Sequence, residues 1–105
     1  MAEYKNITVA ELPNLISGGK AQLVDVRTDA EIARGRIAGA ICLPLHLLPL
    51  RLQDLDKKKS TVFYCQMGGR SGQAAAFAAA LGLGDVYNLQ GGITAWARAG
   101  GEIVQ

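Results

Sequence analysis

Cys65 heads the run Gln66, Met67, Gly68, Gly69, Arg70 and Ser71, the segment of this chain best suited to covalent chemistry. A cysteine reacts as its thiolate, so its neighbours must be able to hold negative charge on the sulfur. Gly68 and Gly69 can adopt positive φ, which lets successive backbone amides turn inward as a concave anion site. The residues from Ser71 onward are alanine-rich and predict a helix. Its unpaired first amides and positive dipole end would face back into the loop. Arg70 adds a permanent charge with several N–H donors in a fixed fork. These features predict a thiol that ionises below its free value, with Gln66, Met67, Gly68, Gly69 and Ser71 lining an anion cradle around it. The same residues would also suit a buried, inert cysteine followed by an ordinary glycine turn. Placement between a buried strand and a helix favours the reactive reading.

That placement follows from the elements on either side. Residues 61–64, Thr-Val-Phe-Tyr, are β-branched or aromatic throughout and predict a strand that runs directly into Cys65. In open α/β sheets, sites form outside the carboxyl ends of strands. The helix after the loop is expected to bury a face made of Ala74, Phe77, Ala78 and Leu81 and to end at Gly82 and Gly84. Upstream, Thr8 and Glu11 fit a capping box, and Pro13 predicts a short or kinked helix before Gly18 and Gly19. Residues 23–26 read as a buried strand, 29–34 as a short helix, and 40–43 as a second short strand stopped by Pro44. A leucine-rich helical stretch over 45–55 is interrupted by Pro49, and Lys57, Lys58 and Lys59 form a solvated loop. A strand over 85–88 and a helix over 92–99, with Trp96 closing the core, complete the chain. Such alternation predicts an α/β fold, a mainly parallel sheet covered on both faces.

Composition narrows the function classes. A chain of 105 residues predicts a single domain, 1–105, and 50% apolar against 19% charged residues excludes intrinsic disorder. Eleven basic and nine acidic residues, net +2, give no reason to expect nucleic acid or an anionic membrane as partner. Two cysteines outside any C-x-x-C pattern and a single histidine, His46, exclude a disulfide framework and a structural zinc site. The first residues carry no leader-like apolar run, and the nearly uncharged stretch 37–50 is too short to span a bilayer. A reducing, cytoplasmic compartment is expected. Cys42 is expected to pack as a small hydrophobe, and His46 to lie in an exposed loop. Asp25, in a buried strand, needs partners, and Arg27 and Glu31, four apart, can pair.

Over residues 7–104 the chain resembles the rhodanese domain. Cys65, Gly68 and Arg70 match that family's C-x-x-G-x-R loop. Asp25-Val-Arg27 with Glu31 resembles its D-x-R…E signature, residues 35–40 followed by Pro44 resemble its G-H-I-P-G-A…P stretch, and residues 89–96 resemble its L-x-G-G-x-x-x-W closing motif. Arg36 and Ala38 replace the usual His and Pro, and Gln66 replaces the basic residue some members carry. The resemblance implies a five-stranded, mostly parallel sheet flanked by helices on both faces. It further implies a sulfurtransferase with Cys65 and Arg70 as catalytic residues and no metal or organic cofactor. A sulfane sulfur from thiosulfate or a related donor would ride on Cys65 as a persulfide and pass to cyanide or to a thiol, on a small molecule or a partner protein. Cysteine-dependent phosphatases and arsenate reductases on this fold are the alternative enzymes. Phosphatases place the arginine six residues after the cysteine, whereas here it comes five after. A non-catalytic interaction module is the third reading, and the retained Cys65 and Arg70 weigh against it.

Overall fold

The computed structural model of the chain describes residues 3–105. Met1 and Ala2, which open both the expected domain 1–105 and the stretch read for a leader, lie outside the described residues.

The main sheet has five strands in the order β1 (Lys5–Ile7), β6 (Val86–Leu89), β5 (Ser60–Tyr64), β2 (Ala21–Asp25), β4 (Ile41–Cys42). Every pairing in it is parallel. Parallel strands need covering on both faces, and the side chains show that cover. Along β5, Val62 and Tyr64 point to one apolar cluster with Leu12, Leu23, Leu89 and Ile93. Phe63 and the adjoining Cys65 point to another with Val24, Leu48, Leu52, Ala74 and Ala78. The first face is covered by α1 (Leu12–Ile16) and α5 (Gly92–Arg98), the second by α3 (Leu48–Arg51) and α4 (Gly69–Ala80). A separate antiparallel pair joins β3 (Arg36–Ile37) to β7 (Ile103–Val104).

Several local expectations shift. The Pro13 helix is short as expected, at five residues, and the 45–54 stretch is broken into a 3-10 turn, α3 and a second 3-10 turn. Both prolines, however, lie in the first turn of a helix, where no backbone donor is required, rather than interrupting one. The buried stripe of α4 is Ser71, Ala74, Ala75, Ala78 and Ala79. Phe77 and Leu81 are instead 36% and 62% exposed. The alanines let the helix lie close to the sheet, and the larger side chains on the neighbouring face are left outside. Cys42 is exposed rather than packed, because β4 is a two-residue edge strand with no layer over its outer residues. His46 is exposed as expected, and Trp96 is half-buried, its indole N–H donating to the Glu102 carbonyl at 2.9 Å. No helix among the described residues is long and apolar enough to cross a membrane, and none of their His, Cys, Asp and Glu side chains group as a metal site.

Candidate active site

In register, Asp25 of β2 lies beside Tyr64 of β5, so the carboxyl ends of both strands open at one place, and Cys65 is the next residue. The loop that follows is fixed from two directions. From one side α5 holds its start: the Ile93 amide donates to the Cys65 carbonyl at 3.0 Å and the Thr94 amide to the Gln66 carbonyl at 3.2 Å. That approach requires Gly92. Its φ is +58°, and a Cβ there would lie 2.4 Å from the Cys65 carbonyl oxygen. From the other side Gly68, at φ +110°, turns the chain into α4. Gly69 is already the first helical residue and has no positive φ, so only one of the two loop glycines does the turning expected of both.

The turn aims donors at sulfur. The Gly68 amide lies 3.0 Å from Cys65 Sγ and the Ser71 hydroxyl 3.3 Å from it. Cys65 is only 2% exposed. Burial pushes its thiol up, but the Ser71 hydroxyl and the amides of Ser71, Gly68 and Met67 outweigh that and hold it below the ordinary cysteine value.

Ser71 has a second neighbour, Asn88 Oδ1 at 2.5 Å. The Asn88 amide is oriented by its Nδ2, which donates to the Gly68 carbonyl at 3.2 Å and to Asn6 Oδ1 at 3.0 Å. Its Oδ1 is therefore the acceptor facing Ser71, and the hydroxyl must supply the proton between them. One hydroxyl proton cannot serve two acceptors at once. With a neutral thiol, Ser71 donates to Asn88 and receives the S–H of Cys65; with a thiolate, the same proton turns to the sulfur. Asn88 and Asn6 escaped the sequence reading, since an asparagine in a strand gives no sign of what its side chain meets.

Arg70 is also engaged. Its Nη1 and Nη2 donate to Glu31 Oε1 and Oε2 at 2.7 and 2.8 Å. Glu31 in turn completes the capping box of α2 (Asp29–Ala33) with Thr28. The Arg70 hydrogen bonds, with help from Thr28, hold the Glu31 carboxyl down to about 2 against the pull of burial. This corrects the expected Arg27–Glu31 pairing. Arg27 instead closes on buried Asp25, with Nη2 to Oδ2 at 2.7 Å, and donates to the carbonyls of Gly35 at 2.7 Å and Glu31 at 3.4 Å. Asp25 thus ties loops together through Arg27, as its burial demanded. The bidentate pair leaves Arg70 its Nε–H and the second hydrogen of each terminal nitrogen uncommitted.

The structure therefore gathers Cys65, Gly68 and Ser71, and the Met67 amide, around one sulfur. The Gln66 side chain turns away to Thr94 Oγ1 at 3.0 Å, and the Met67 side chain stands 68% exposed at the tip of the loop.

Comparison with known proteins bears directly on this arrangement. Residues 8–99 match the family described as the Rhodanese-like domain. A protein of Allochromatium vinosum named "Sulfurtransferase" is 52% identical over 82 residues, which cover 78% of this chain and 77% of that protein. The human "Thiosulfate:glutathione sulfurtransferase" is 34% identical over 110 aligned positions, covering 91% of this chain and 96% of the human one. Among solved structures, a rhodanese-related protein from Thermoplasma volcanium superposes with a TM-score of 0.89 at 32% identity, over 96% of this chain and 98% of that one.

Proposed function

The chain belongs to the rhodanese-like domain family, its curated relatives include sulfurtransferases, and on that footing we propose that it transfers sulfane sulfur through a persulfide on Cys65. The Cys65 thiolate attacks the outer sulfur of thiosulfate. A new S–S bond forms, the sulfur–sulfur bond of thiosulfate breaks, and sulfite leaves with the electron pair. The terminal sulfur then carries the negative charge, in the space served by the Gly68 and Ser71 donors. In the second displacement cyanide or a thiolate attacks that sulfur, and Cys65 departs as thiolate. Two displacements through a covalent intermediate give ping-pong kinetics. Arg70, with its remaining N–H groups, orients the donor and stabilises the departing sulfite. Residues 1–105 act as one domain in the cytoplasm, whose reducing thiols keep Cys65 and the exposed Cys42 free.

The observation that carries this reading is a buried thiol whose sulfur receives an amide and a hydroxyl at the carboxyl end of a parallel sheet. Intact-protein mass spectrometry tests it. Thiosulfate should add the mass of one sulfur atom, and cyanide should remove it. Cys65→Ser should take up no sulfur, and Cys42→Ser should still do so. Sulfur loading that persists in Cys65→Ser would overturn the assignment.

A further inference from the structure

Arg70 reaches the sulfur site already neutralised. Its Nη1 and Nη2 are held by the two oxygens of Glu31 at 2.7 and 2.8 Å. The Glu31 carboxyl is held down to about 2, so it is ionised wherever Cys65 is a thiolate, and the pair sums to zero charge. Asp25, close enough to act on Arg70, is matched by Arg27. Gln66 adds no charge next to Cys65. The remaining cations that line the space beside Gln66, Arg34 and Arg98, are exposed, where solvent and salt screen them. An anionic donor approaching the Cys65 thiolate therefore finds hydrogen bonds from Arg70 but no net positive charge behind them.

We propose that Glu31 sets the charge selectivity for the sulfur donor, shifting the preference of the site from a doubly charged donor toward a singly charged one. The inference rests on the sulfurtransferase reading and adds a specificity-determining residue to its first step. Glu31 touches no reacting atom; it acts through Arg70, as a positioning residue. The bidentate pair occupies the end of the guanidinium and fixes its plane, which leaves the Nε–H and the terminal N–H beside it parallel along one side. Two parallel donors match a donor molecule with two oxygens and one charge. Thiosulfate brings a third oxygen and a second charge, for which Glu31 leaves no cation free. The bonds exchanged are the same for either donor. The Cys65 thiolate attacks the outer sulfur, the sulfur–sulfur bond of the donor breaks, and sulfite or a sulfinate leaves with the electron pair.

Thiosulfate and methanethiosulfonate are matched probes, since a methyl group replaces one oxyanion. The rate of persulfide formation with each is followed by intact-protein mass spectrometry in wild type, Glu31→Gln and Glu31→Asp. Glutamine keeps the capping box of α2 with Thr28 and removes the charge, whereas aspartate keeps the charge. In Glu31→Gln the rate ratio of thiosulfate to methanethiosulfonate should rise about threefold, the effect of one partly exposed charge on one unit of donor charge. The rise should appear in KM rather than kcat and shrink in about 1 M salt. Glu31→Asp should keep the wild-type ratio. An unchanged ratio in Glu31→Gln, or an equal change in Glu31→Asp, makes Glu31 a structural latch and overturns the proposal. Alkylation of Cys65 in a Cys42→Ser background separates that result from failure of the sulfurtransferase reading, because it needs no sulfur transfer. Iodoacetate and iodoacetamide differ by one charge, and their rate ratio should also rise about threefold in Glu31→Gln. That rise, with no persulfide formed from either donor, would refute the transfer chemistry and leave the effect of Glu31 on charge standing. No rise would overturn the proposal even where persulfide forms.

Discussion

Replacing Ser71 with alanine removes one of the donors aimed at Cys65 Sγ and leaves the Gly68 amide in place. A hydrogen bond to a charged acceptor contributes about 1.5–3 kcal/mol, so the Cys65 thiol should rise by about one to two pKa units. Below that pKa the thiolate fraction falls about tenfold per unit. The more basic thiolate is also the better nucleophile, with a sensitivity of about 0.4–0.5, which returns nearly half of the logarithmic loss. The net expectation is about a three- to tenfold slower reaction with a neutral electrophile at pH 7. The measurement is the pH dependence of iodoacetamide alkylation in a Cys42→Ser background, where Cys65 is the one thiol left. The substitution also strips Asn88 Oδ1 of its buried donor, at about 1–3 kcal/mol, so thermal melts should accompany the rates. A companion variant isolates the proton argument. Asn88→Ala leaves the Ser71 proton free for the sulfur and should not raise the thiol's pKa. An unmoved alkylation profile in Ser71→Ala, or an upward shift in Asn88→Ala equal to it, would refute the account of a shared hydroxyl proton.

Glu31 is held at about 2 against an ordinary 4.5, so the stability its pair with Arg70 contributes is complete above about pH 4.5 and is lost as pH falls toward 2. With side chains 27% and 36% exposed, the pair contributes only about 1 kcal/mol, so Glu31→Gln should lower urea stability by that amount at pH 7 and converge on wild type near pH 2; parallel curves would contradict this. Gly92→Ala forces a Cβ onto the Cys65 and Gln66 carbonyls at positive φ, and should cost more than about 2 kcal/mol and alter the alkylation rate of Cys65; a wild-type melting temperature would show that the loop yields. Tyr64→Phe leaves the Ile37 amide without the phenol oxygen now 3.1 Å away, and should cost about 1–3 kcal/mol in denaturant titration; a neutral result would mean that water reaches this amide.

What could be read in the sequence was mostly local. The strand before Cys65, the positive φ at Gly68 and the five-residue spacing to Arg70 are properties of neighbouring residues, and the structure has them. The strand and helix alternation sufficed for a parallel sheet covered on both faces. Glu31 is legible in the sequence as a landmark, but its partner is not. Its spacing from Arg27 allows a helical pair, and nothing in the chain says that Arg70, 39 residues on, comes closer. Of the face expected for α4, Ala74 and Ala78 are buried while Phe77 and Leu81 are not, because a helix pressed onto a sheet buries its small residues and spacing alone does not say which neighbouring positions turn inward. Cys42 looked like core because its neighbours are apolar, and only the strand order reveals that β4 is an edge.

The clamp on the loop has a consequence for the order in which the protein acquires its reactivity. The carbonyls of Cys65 and Gln66 are held by amides 28 residues further along, and the Asn88 that holds Ser71 is itself held by Asn6, 82 residues earlier. A chain leaving the ribosome at roughly 5–20 residues per second therefore displays Cys65 before any of the groups that acidify it exist as structure. During that interval the cysteine is an ordinary thiol, mostly protonated and slow toward electrophiles. The reactive anion emerges only when the last strand and helix of the main fold dock, so completion of folding and onset of nucleophilicity are a single event. A truncation between Ser71 and Thr94 would yield a chain that contains the whole Cys65 loop with a thiol of only ordinary reactivity.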